Sequence, residues 1–357
     1  MVSSSSGLVP APDFLKTHLL PRPSFNDTTL PPAPHLISFT PHGEQVITPS
    51  LRTPLSAHKR HVLYTVHEFS PLLDSSSISS PSWQLIAQAI QRNYDLYDAF
   101  IVLHGTDSMA YTSSALSFLL PNLAKPVILT GSQAPFAQLR TDATDNLLGA
   151  LIIAGHYPIP EVGLFFHHSL FRGNRVTKIS ASDFTAFASP NLAPLAEVSA
   201  MGVQIRWDII LPMPVGRSSH ALEVHPGLDT SHCVCLRMFP GITANMLDTI
   251  IRVKPIIGVV LETFGAGNIG DGDLVKVLAG AVERDVVIVN ITQCLRGSVN
   301  PVYAAGRRLV DAGVVPGRDM TTEAALTKLA WCLARGWDAE GSRREMARNL
   351  RGEMSFT

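Results

Sequence analysis

The protein carries few charged residues and almost no net charge, and this limits the partners it can have. Charged residues make up 16% of its 357 residues, and the formal net charge is −1. Binding to nucleic acid requires a basic surface that neutralises phosphates, so nucleic acid is not an expected partner. The sequence contains 13 histidines, but none has a metal-binding spacing such as His-Glu-x-x-His. We therefore expect no metal site.

Cysteine is scarce and long apolar runs are missing. The four cysteines form no Cys-x-x-Cys pair, which favours reduced, buried thiols over a disulfide framework. No stretch approaches the ~20 apolar residues of a membrane span. The first residues have neither the basic start nor the apolar run of a signal peptide. These absences predict a soluble, cytoplasmic protein with no membrane partner.

The apolar residues that are present, 46% of the sequence, alternate between strand-like and helix-like patterns. Prolines interrupt residues 1 to about 60, which predicts mostly loop there. The following β-α-β-α alternation predicts an α/β fold with a parallel sheet. A second proline- and glycine-rich stretch at about 205–231 is typical of a linker. We therefore predict an N-terminal domain at 1–210, a linker at 211–231 and a C-terminal domain at 232–357.

The patterns also place individual elements. Apolar runs predict strands at 61–67, 99–103, 126–130, 162–166, 233–239, 256–262 and 286–291. Helical spacing predicts helices from Ser80 to about 90, and at 110–120, 146–155, 242–251, 273–283 and 320–335. Asp319 is the expected N-cap of the last helix.

Polar turns follow several of these strands. In open parallel sheets, ligands bind outside the carboxyl ends of the strands. Strand 99–103 is followed by His-Gly-Thr-Asp-Ser, in which Gly105 permits a tight turn and Thr106 and Asp107 face the crevice. Taken alone, helix capping is the more common role for such residues.

Three other polar segments accompany this turn. They are Asp74-Ser75-Ser76, Gly131-Ser132-Gln133 and the run that contains Lys178. Each is a weak signal, and a lone lysine is usually a solvated surface charge. Together they place hydroxyl, carboxylate and ammonium groups around one crevice, which suits acyl transfer on a small zwitterion.

These segments resemble the characteristic blocks of the type I, cytoplasmic L-asparaginase family. The sequence HGTDSMAYT at 104–112 closely resembles the family's second signature. Further similar blocks lie at 115–118, 128–133, 146–148, 172–178, 187–191, 290–294, 319–321 and 350–353. The likeness is strongest to the eukaryotic asparaginase domain.

The resemblance implies a fold, a reaction and a set of site residues. The expected fold is a larger N-terminal parallel-sheet domain followed by a smaller Rossmann-like α/β domain. The expected reaction is hydrolysis of L-asparagine to L-aspartate and ammonia, without metal or cofactor, in a homodimer or homotetramer.

By the same resemblance, Thr106, Asp107 and Lys178 form a catalytic triad. Asp107 also binds the substrate ammonium, and Ser75 and Ser76 hold its carboxylate. Asn268 reaches the site from the neighbouring subunit.

One block of the family is missing from the sequence. The family's first signature is an interior strand ending in Thr-Gly-Gly-Thr-Ile-Gly, whose second Thr is the nucleophile, and the 357 residues contain no such string. Met1 falls where the family has the residue after this signature, which leads us to expect that Met1 is internal to a longer protein. Leu8 stands where many bacterial members have an aromatic hydroxyl. A polypeptide with these residues alone is expected to be inactive or weak, and either two strand edges are left unpaired or the neighbouring strands close the gap.

Three alternatives remain open at this point. The first is a catalytically inactive protein that binds an amino acid or assembles with active subunits. The second is an asparaginase-like subunit of a tRNA-dependent amidotransferase. The third is an amidase or glutaminase of broader specificity. The near-neutral charge argues against the amidotransferase.

Overall fold

A computed structural model describes residues 2–4, 7–9, 11–214, 222–270, 272–300 and 304–355. Within them the N-terminal and C-terminal parts each form an α/β unit around a sheet of their own. This is the fold class predicted from the sequence. None of the helices in these ranges combines the length and apolarity needed to cross a membrane.

The region before residue 65 is more regular than the sequence predicted. Its elements are β1 (Val2–Ser4), β2 (Gly7–Val9), α1 (Phe14–Leu19), β3 (His35–Phe39), β4 (Gln45–Pro49), β5 (Leu51–Arg52) and β6 (Leu63–Tyr64). The strands pair as three short antiparallel ladders, while turns and irregular backbone still make up most of the region, as predicted. Proline is tolerated at strand ends and edges, and Pro34 and Pro49 border the β3–β4 pair.

The N-terminal sheet begins as the predicted β-α-β alternation. Its elements are α2 (Ser80–Asn93), β7 (Phe100–Leu103), α3 (Met109–Leu119), β8 (Val127–Thr130), α4 (Ala143–His156) and β9 (Val162–Phe166). β7, β8 and β9 are parallel neighbours, as their continuous apolar runs indicated. A capping box formed by Ser79 and Ser82 begins α2 beside the predicted Ser80-Pro81 start.

The second half of this sheet is antiparallel, which the sequence did not predict. The backbone continues through β10 (Ser169–Arg172), β11 (Thr177–Lys178), β12 (Phe187–Ala188), β13 (Ala196–Ser199) and β14 (Gly202–Ile205). The sheet order is β14-β13-β10-β9-β8-β7, and the β9–β10, β10–β13 and β13–β14 pairs are antiparallel. The larger sheet is therefore mixed, with β7 at one edge. Leu103 at the end of β7 is 43% exposed.

The C-terminal part forms a smaller, parallel sheet. Its elements are β15 (Cys233–Arg237), α5 (Ala244–Ile251), β16 (Gly258–Thr263), α6 (Gly272–Glu283), β17 (Val287–Thr292), α7 (Ala304–Asp311), β18 (Val315–Pro316), α8 (Thr322–Leu333) and α9 (Ala339–Met346). β15 to β18 are paired in sequence order, and the pairs are parallel.

The two parts share one apolar core, in which α3 faces α8. The residues of this core come from both, including Phe118 on α3 and Trp331 on α8. The hydroxyls of Ser114 and Thr327 hydrogen bond at 2.7 Å between these helices. The predicted linker at 211–231 is described only at 211–214 and 222–231, where Leu222 is buried. The domain boundaries remain a prediction.

The start of α8 differs from its predicted form. Its N-cap is Thr321, whose side chain accepts a hydrogen bond from the backbone N–H of Ala324 at 3.1 Å. The prediction that Asp319 caps this helix was wrong, because the Asp319 carboxylate is paired with the buried guanidinium of Arg175. A buried guanidinium without an anionic partner costs more free energy than a helix end without a side-chain cap.

The cysteines are free, but not all of them are buried. Cys332 is buried, whereas Cys235 and Cys294 are exposed. The prediction of four buried thiols was therefore wrong for these two. Cys235 lies on β15, an edge strand of the C-terminal sheet.

Candidate active site

A series of hydrogen bonds shapes the loop that follows β7. The indole N–H of Trp83 donates to the hydroxyl of Thr112 at 2.9 Å, and this hydroxyl lies 2.9 Å from Nε2 of His104. The Nδ1 atom of His104 lies 2.6 Å from the carbonyl oxygen of Gly105. A carbonyl can only accept, so Nδ1 carries the proton and Nε2 accepts from Thr112. Burial lowers the pKa of His104, which favours this neutral ring.

The same loop lies directly against Ser75. A Cβ atom on residue 105 would come 2.5 Å from the Ser75 hydroxyl oxygen, so only glycine fits there. The Ser108 hydroxyl donates to the Ser75 carbonyl at 2.5 Å. The structure thus brings Ser75 to the loop that contains Thr106 and Asp107.

Ser76 is engaged elsewhere. Its backbone N–H and its hydroxyl both donate to one carboxylate oxygen of Asp74, each at 2.8 Å. These bonds form a local turn around Asp74 and lower the pKa of that carboxyl. The predicted role of Ser76 in holding a carboxylate is not tested by this arrangement.

Lys178 joins the two predicted catalytic neighbours. Its Nζ atom lies 2.9 Å from the Thr106 hydroxyl oxygen and 2.9 Å from Oδ1 of Asp107. The Lys178 side chain is 20% exposed and that of Asp107 is 67% exposed, so the group opens to solvent on the Asp107 side. A hydroxyl, a carboxylate and an ammonium group therefore meet here, although Lys178 lies 72 positions from Thr106 and 71 positions from Asp107 in the sequence.

Gln133 completes this cluster, although the sequence analysis gave it no role. The Thr106 hydroxyl donates to Oε1 of Gln133 at 3.0 Å. The amide of Gln133 donates to backbone carbonyls of Ser180 and Asp183 at 3.5 and 3.3 Å. The signal in the sequence that points to Gln133 is the polar turn after β8.

Asn268 lies in a tight turn after β16, in the C-terminal part. The backbones of Phe264 and Asn268 exchange hydrogen bonds of 3.0 and 2.8 Å, and the side chain of Asn290 holds the turn through the Gly267 carbonyl at 3.1 Å. Oδ1 of Asn268 is buried and has no hydrogen-bond partner among the described residues. Its predicted role across a subunit interface is not tested.

The described residues contain no cluster of three or more histidine, cysteine, aspartate or glutamate side chains able to hold a metal ion. What the site offers is a cation held against a hydroxyl and a carboxylate. A nearby cation favours the deprotonated form of a hydroxyl, and an exposed carboxylate can bind an ammonium group.

Comparison with known proteins identifies the family. Residues 33–211 match the family described as Asparaginase, N-terminal, and residues 232–346 match the Glutaminase/Asparaginase C-terminal domain. L-asparaginase 1 of Escherichia coli (strain K12) is 48% identical over 294 residues, which cover 82% of this chain and 85% of that protein. The 60 kDa lysophospholipase of Homo sapiens is 46% identical over 86% of this chain and 53% of its own length.

Solved structures agree with this similarity. The crystal structure of L-asparaginase I from Vibrio cholerae has a TM-score of 0.77 and 46% identity, covering 82% of this chain and 87% of that one. The family similarity, the fold and the order of the domains all indicate the same family. The protein belongs to the asparaginase family, whose members are hydrolases that act on amides.

Proposed function

We propose that this protein holds the substrate-binding and proton-transfer half of an L-asparagine amidohydrolase site. The observation that supports the proposal most strongly is the Lys178 ammonium, 2.9 Å from both the Thr106 hydroxyl and the Asp107 carboxylate. Proteins named L-asparaginase are 42–48% identical to this chain, which supports L-asparagine as the substrate.

Each group has a distinct task in this proposal. The exposed Asp107 carboxylate binds the α-ammonium of the substrate, and Ser75 donates to its α-carboxylate. Lys178 lowers the cost of negative charge on the Thr106 oxygen, and Thr106 transfers the proton that the attacking group releases. Hydrolysis breaks the amide C–N bond of L-asparagine, with water supplying the oxygen of L-aspartate and the proton that leaves in ammonia.

The proposal also includes low turnover. The family's first signature supplies a Thr nucleophile and backbone donors for the oxyanion, and the 357 residues contain no copy of it. Removing a nucleophile typically costs several orders of magnitude in rate. A polypeptide with these residues alone should therefore bind the amino acid and hydrolyse it slowly.

Isothermal titration calorimetry with L-aspartate tests the binding half of the proposal. We expect saturable binding to the unmodified protein, and at least about tenfold weaker binding to Asp107→Asn, because the ammonium loses a charge-assisted partner. Asp208→Asn is the matched control, since the Asp208 carboxylate is exposed and paired with Arg206 away from the site.

Absence of binding to the unmodified protein would sink the proposal, as would equal loss in both variants. A coupled ammonia assay then separates the alternatives. Binding without measurable hydrolysis of L-asparagine supports the catalytically dead alternative, and faster hydrolysis of L-glutamine would indicate a glutaminase. Formation of glutaminyl-tRNA from glutamyl-tRNA, in the presence of ATP, an amide donor and a partner amidotransferase subunit, would identify an amidotransferase subunit.

We further propose a homodimer or homotetramer in the cytoplasm. In such an assembly the turn at 264–268 of one subunit approaches the site of its neighbour and presents the partly exposed Asn268 to it. Sedimentation of the purified protein, 38.6 kDa per subunit, tests the assembly.

A further inference from the structure

The strand that holds Lys178 is not part of the main sheet. β11 is two residues long and pairs with β12 in a separate two-stranded sheet. Isolated two-stranded pairs are only marginally stable. The position of Lys178 must therefore be fixed by contacts that other elements make with this segment.

The first such contact lies just before β11, at Arg175. The guanidinium of Arg175 donates to both carboxylate oxygens of Asp319, at 3.1 and 2.9 Å, and to the backbone carbonyl of Glu353 at 2.9 Å. The Arg175 side chain is 2% exposed. Asp319 and Glu353 belong to the C-terminal part, so this segment is tied to that part from its start.

The second contact is made by the residue next to the lysine. The Thr177 hydroxyl donates to Oε1 of Glu323 at 2.7 Å. Glu323 lies in the first turn of α8 and is 7% exposed. Burial raises the pKa of Glu323, while the Thr177 hydrogen bond acts in the opposite direction. A carboxyl oxygen accepts from Thr177 in either protonation state, so the contact does not depend on ionisation.

Strand geometry gives these neighbours complementary roles. Successive side chains of a strand point to opposite faces. Thr177 therefore points toward α8 while Lys178 points toward Thr106 and Asp107, and an anchor on one face holds the functional group on the other.

We propose that Glu323 and Thr177 are positioning residues that set Lys178 against Thr106 and Asp107, so that helix α8 of the C-terminal part controls the proton-transfer geometry in the N-terminal part. This inference rests on the proposed function, because the position of Lys178 affects proton transfer only if Lys178 acts as proposed there. Neither side chain touches substrate in this account. A misplacement of about 1 Å is sufficient to cost about 10²-fold in rate, which makes such an anchor consequential.

The test compares three variants of the 357-residue protein. Thr177→Val keeps the shape of the side chain and removes the hydroxyl, whereas Thr177→Ser restores the hydroxyl. Ser114→Ala is the matched control, because it removes another buried hydroxyl bond to α8, the one to Thr327, without contacting β11. The readouts are the side-chain NMR signal of Lys178 in lysine-labelled, ligand-free protein, assigned with Lys178→Met, and the Kd for L-aspartate.

We expect Thr177→Val to shift the Lys178 signal and to raise the Kd about tenfold, and we expect Thr177→Ser and Ser114→Ala to change neither. An unmoved Lys178 signal in folded Thr177→Val would overturn the inference, as would an equal shift in Ser114→Ala. If Thr177→Val does not fold, Glu323→Met removes the acceptor instead. If the unmodified protein binds no L-aspartate, the proposed function fails, while the Lys178 signal still decides the inference.

Discussion

At the scale of single residues, the hydrogen bonds of the Thr106 hydroxyl determine what it can do. It accepts from the Lys178 ammonium and donates to the neutral amide oxygen of Gln133. Its proton is thus directed at a group that cannot act as a strong base. In this resting arrangement Thr106 is suited to relaying a proton rather than to attacking a carbonyl on its own, which is consistent with slow turnover.

Gly105 offers a direct test of the contact between Ser75 and the Thr106 loop. Gly105→Ala should lower the affinity for L-aspartate by at least about tenfold, because the new Cβ would lie 2.5 Å from the Ser75 hydroxyl oxygen and displace it. Calorimetry measures the change.

Gly280→Ala serves as the control for that substitution. Gly280 lies within α6, where a Cβ meets only the far end of the Arg284 side chain, so alanine should stabilise the helix by about 0.5–1 kcal/mol and leave affinity unchanged. Equal affinity in the two variants would argue against a role for Ser75.

His104 makes stability depend on pH. The folded protein keeps the ring neutral and burial lowers its pKa, whereas an unfolded histidine titrates near about 6.5. Since the unfolded state then binds more protons, the contribution of His104 to the free energy of unfolding is fully present above about pH 6.5 and is lost as pH drops below it.

Urea unfolding of His104→Gln at several pH values checks this prediction. We expect a shallower loss of stability between about pH 7 and 5 than in the unmodified protein. Some slope should remain, because burial also lowers the pKa of His67, His156 and His225. Identical slopes would show that His104 does not resist protonation.

At the scale of elements, α8 links the two parts of the molecule. Its first turn holds Thr177, and its middle faces α3. Further along, the Lys328 ammonium lies 2.6 Å from a Glu353 carboxylate oxygen, and both side chains are fully buried. Lys328 also donates to the carbonyls of Met346 and Arg348, so it ties the end of α9 and the C-terminal turn to α8.

Lys328→Met should destabilise the fold by about 3–5 kcal/mol, because it leaves the Glu353 carboxylate buried without its cation. Lys276→Met makes the same chemical change in an exposed pair with Asp273, and should leave the urea midpoint unchanged. Equal midpoints for the two variants would contradict the structural role of the buried pair.

Continuous apolar runs were the signal that identified the central strands of the larger sheet. β8 and β9 are buried along their whole length, and their apolar runs identified them. β13 and β14 are partly exposed strands without such runs, so the antiparallel half of the sheet was missed. Asp319 was misassigned because local capping propensity does not reveal a buried cation 144 positions away.

The same limit applies to the site. Thr106, Asp107 and Lys178 were identified because they lie in blocks that resemble a family. Gln133 and Glu323 were missed as site residues because their importance comes from contacts with Thr106, 27 positions away, and Thr177, 146 positions away. Spacing along the sequence gives no signal for such pairs.

At the scale of the whole molecule, the family fold is present, and within the described residues β7 is an edge strand of the larger sheet. Leu103 is 43% exposed there, at the last residue of the strand that leads into Thr106. An unpaired strand edge can accept another strand. This edge adjoins the loop that contains Thr106 and Asp107.

The most direct test measures ammonia release from L-asparagine by two polypeptides: the 357-residue protein, and the same protein preceded by a strand that ends in Thr-Gly-Gly-Thr-Ile-Gly. The account predicts that the extended protein is at least about 10³-fold faster. A rate of about 1 s⁻¹ or more from the unextended protein, which is within the normal range for enzymes, would contradict it. So would a folded extended protein that binds L-aspartate and is no faster.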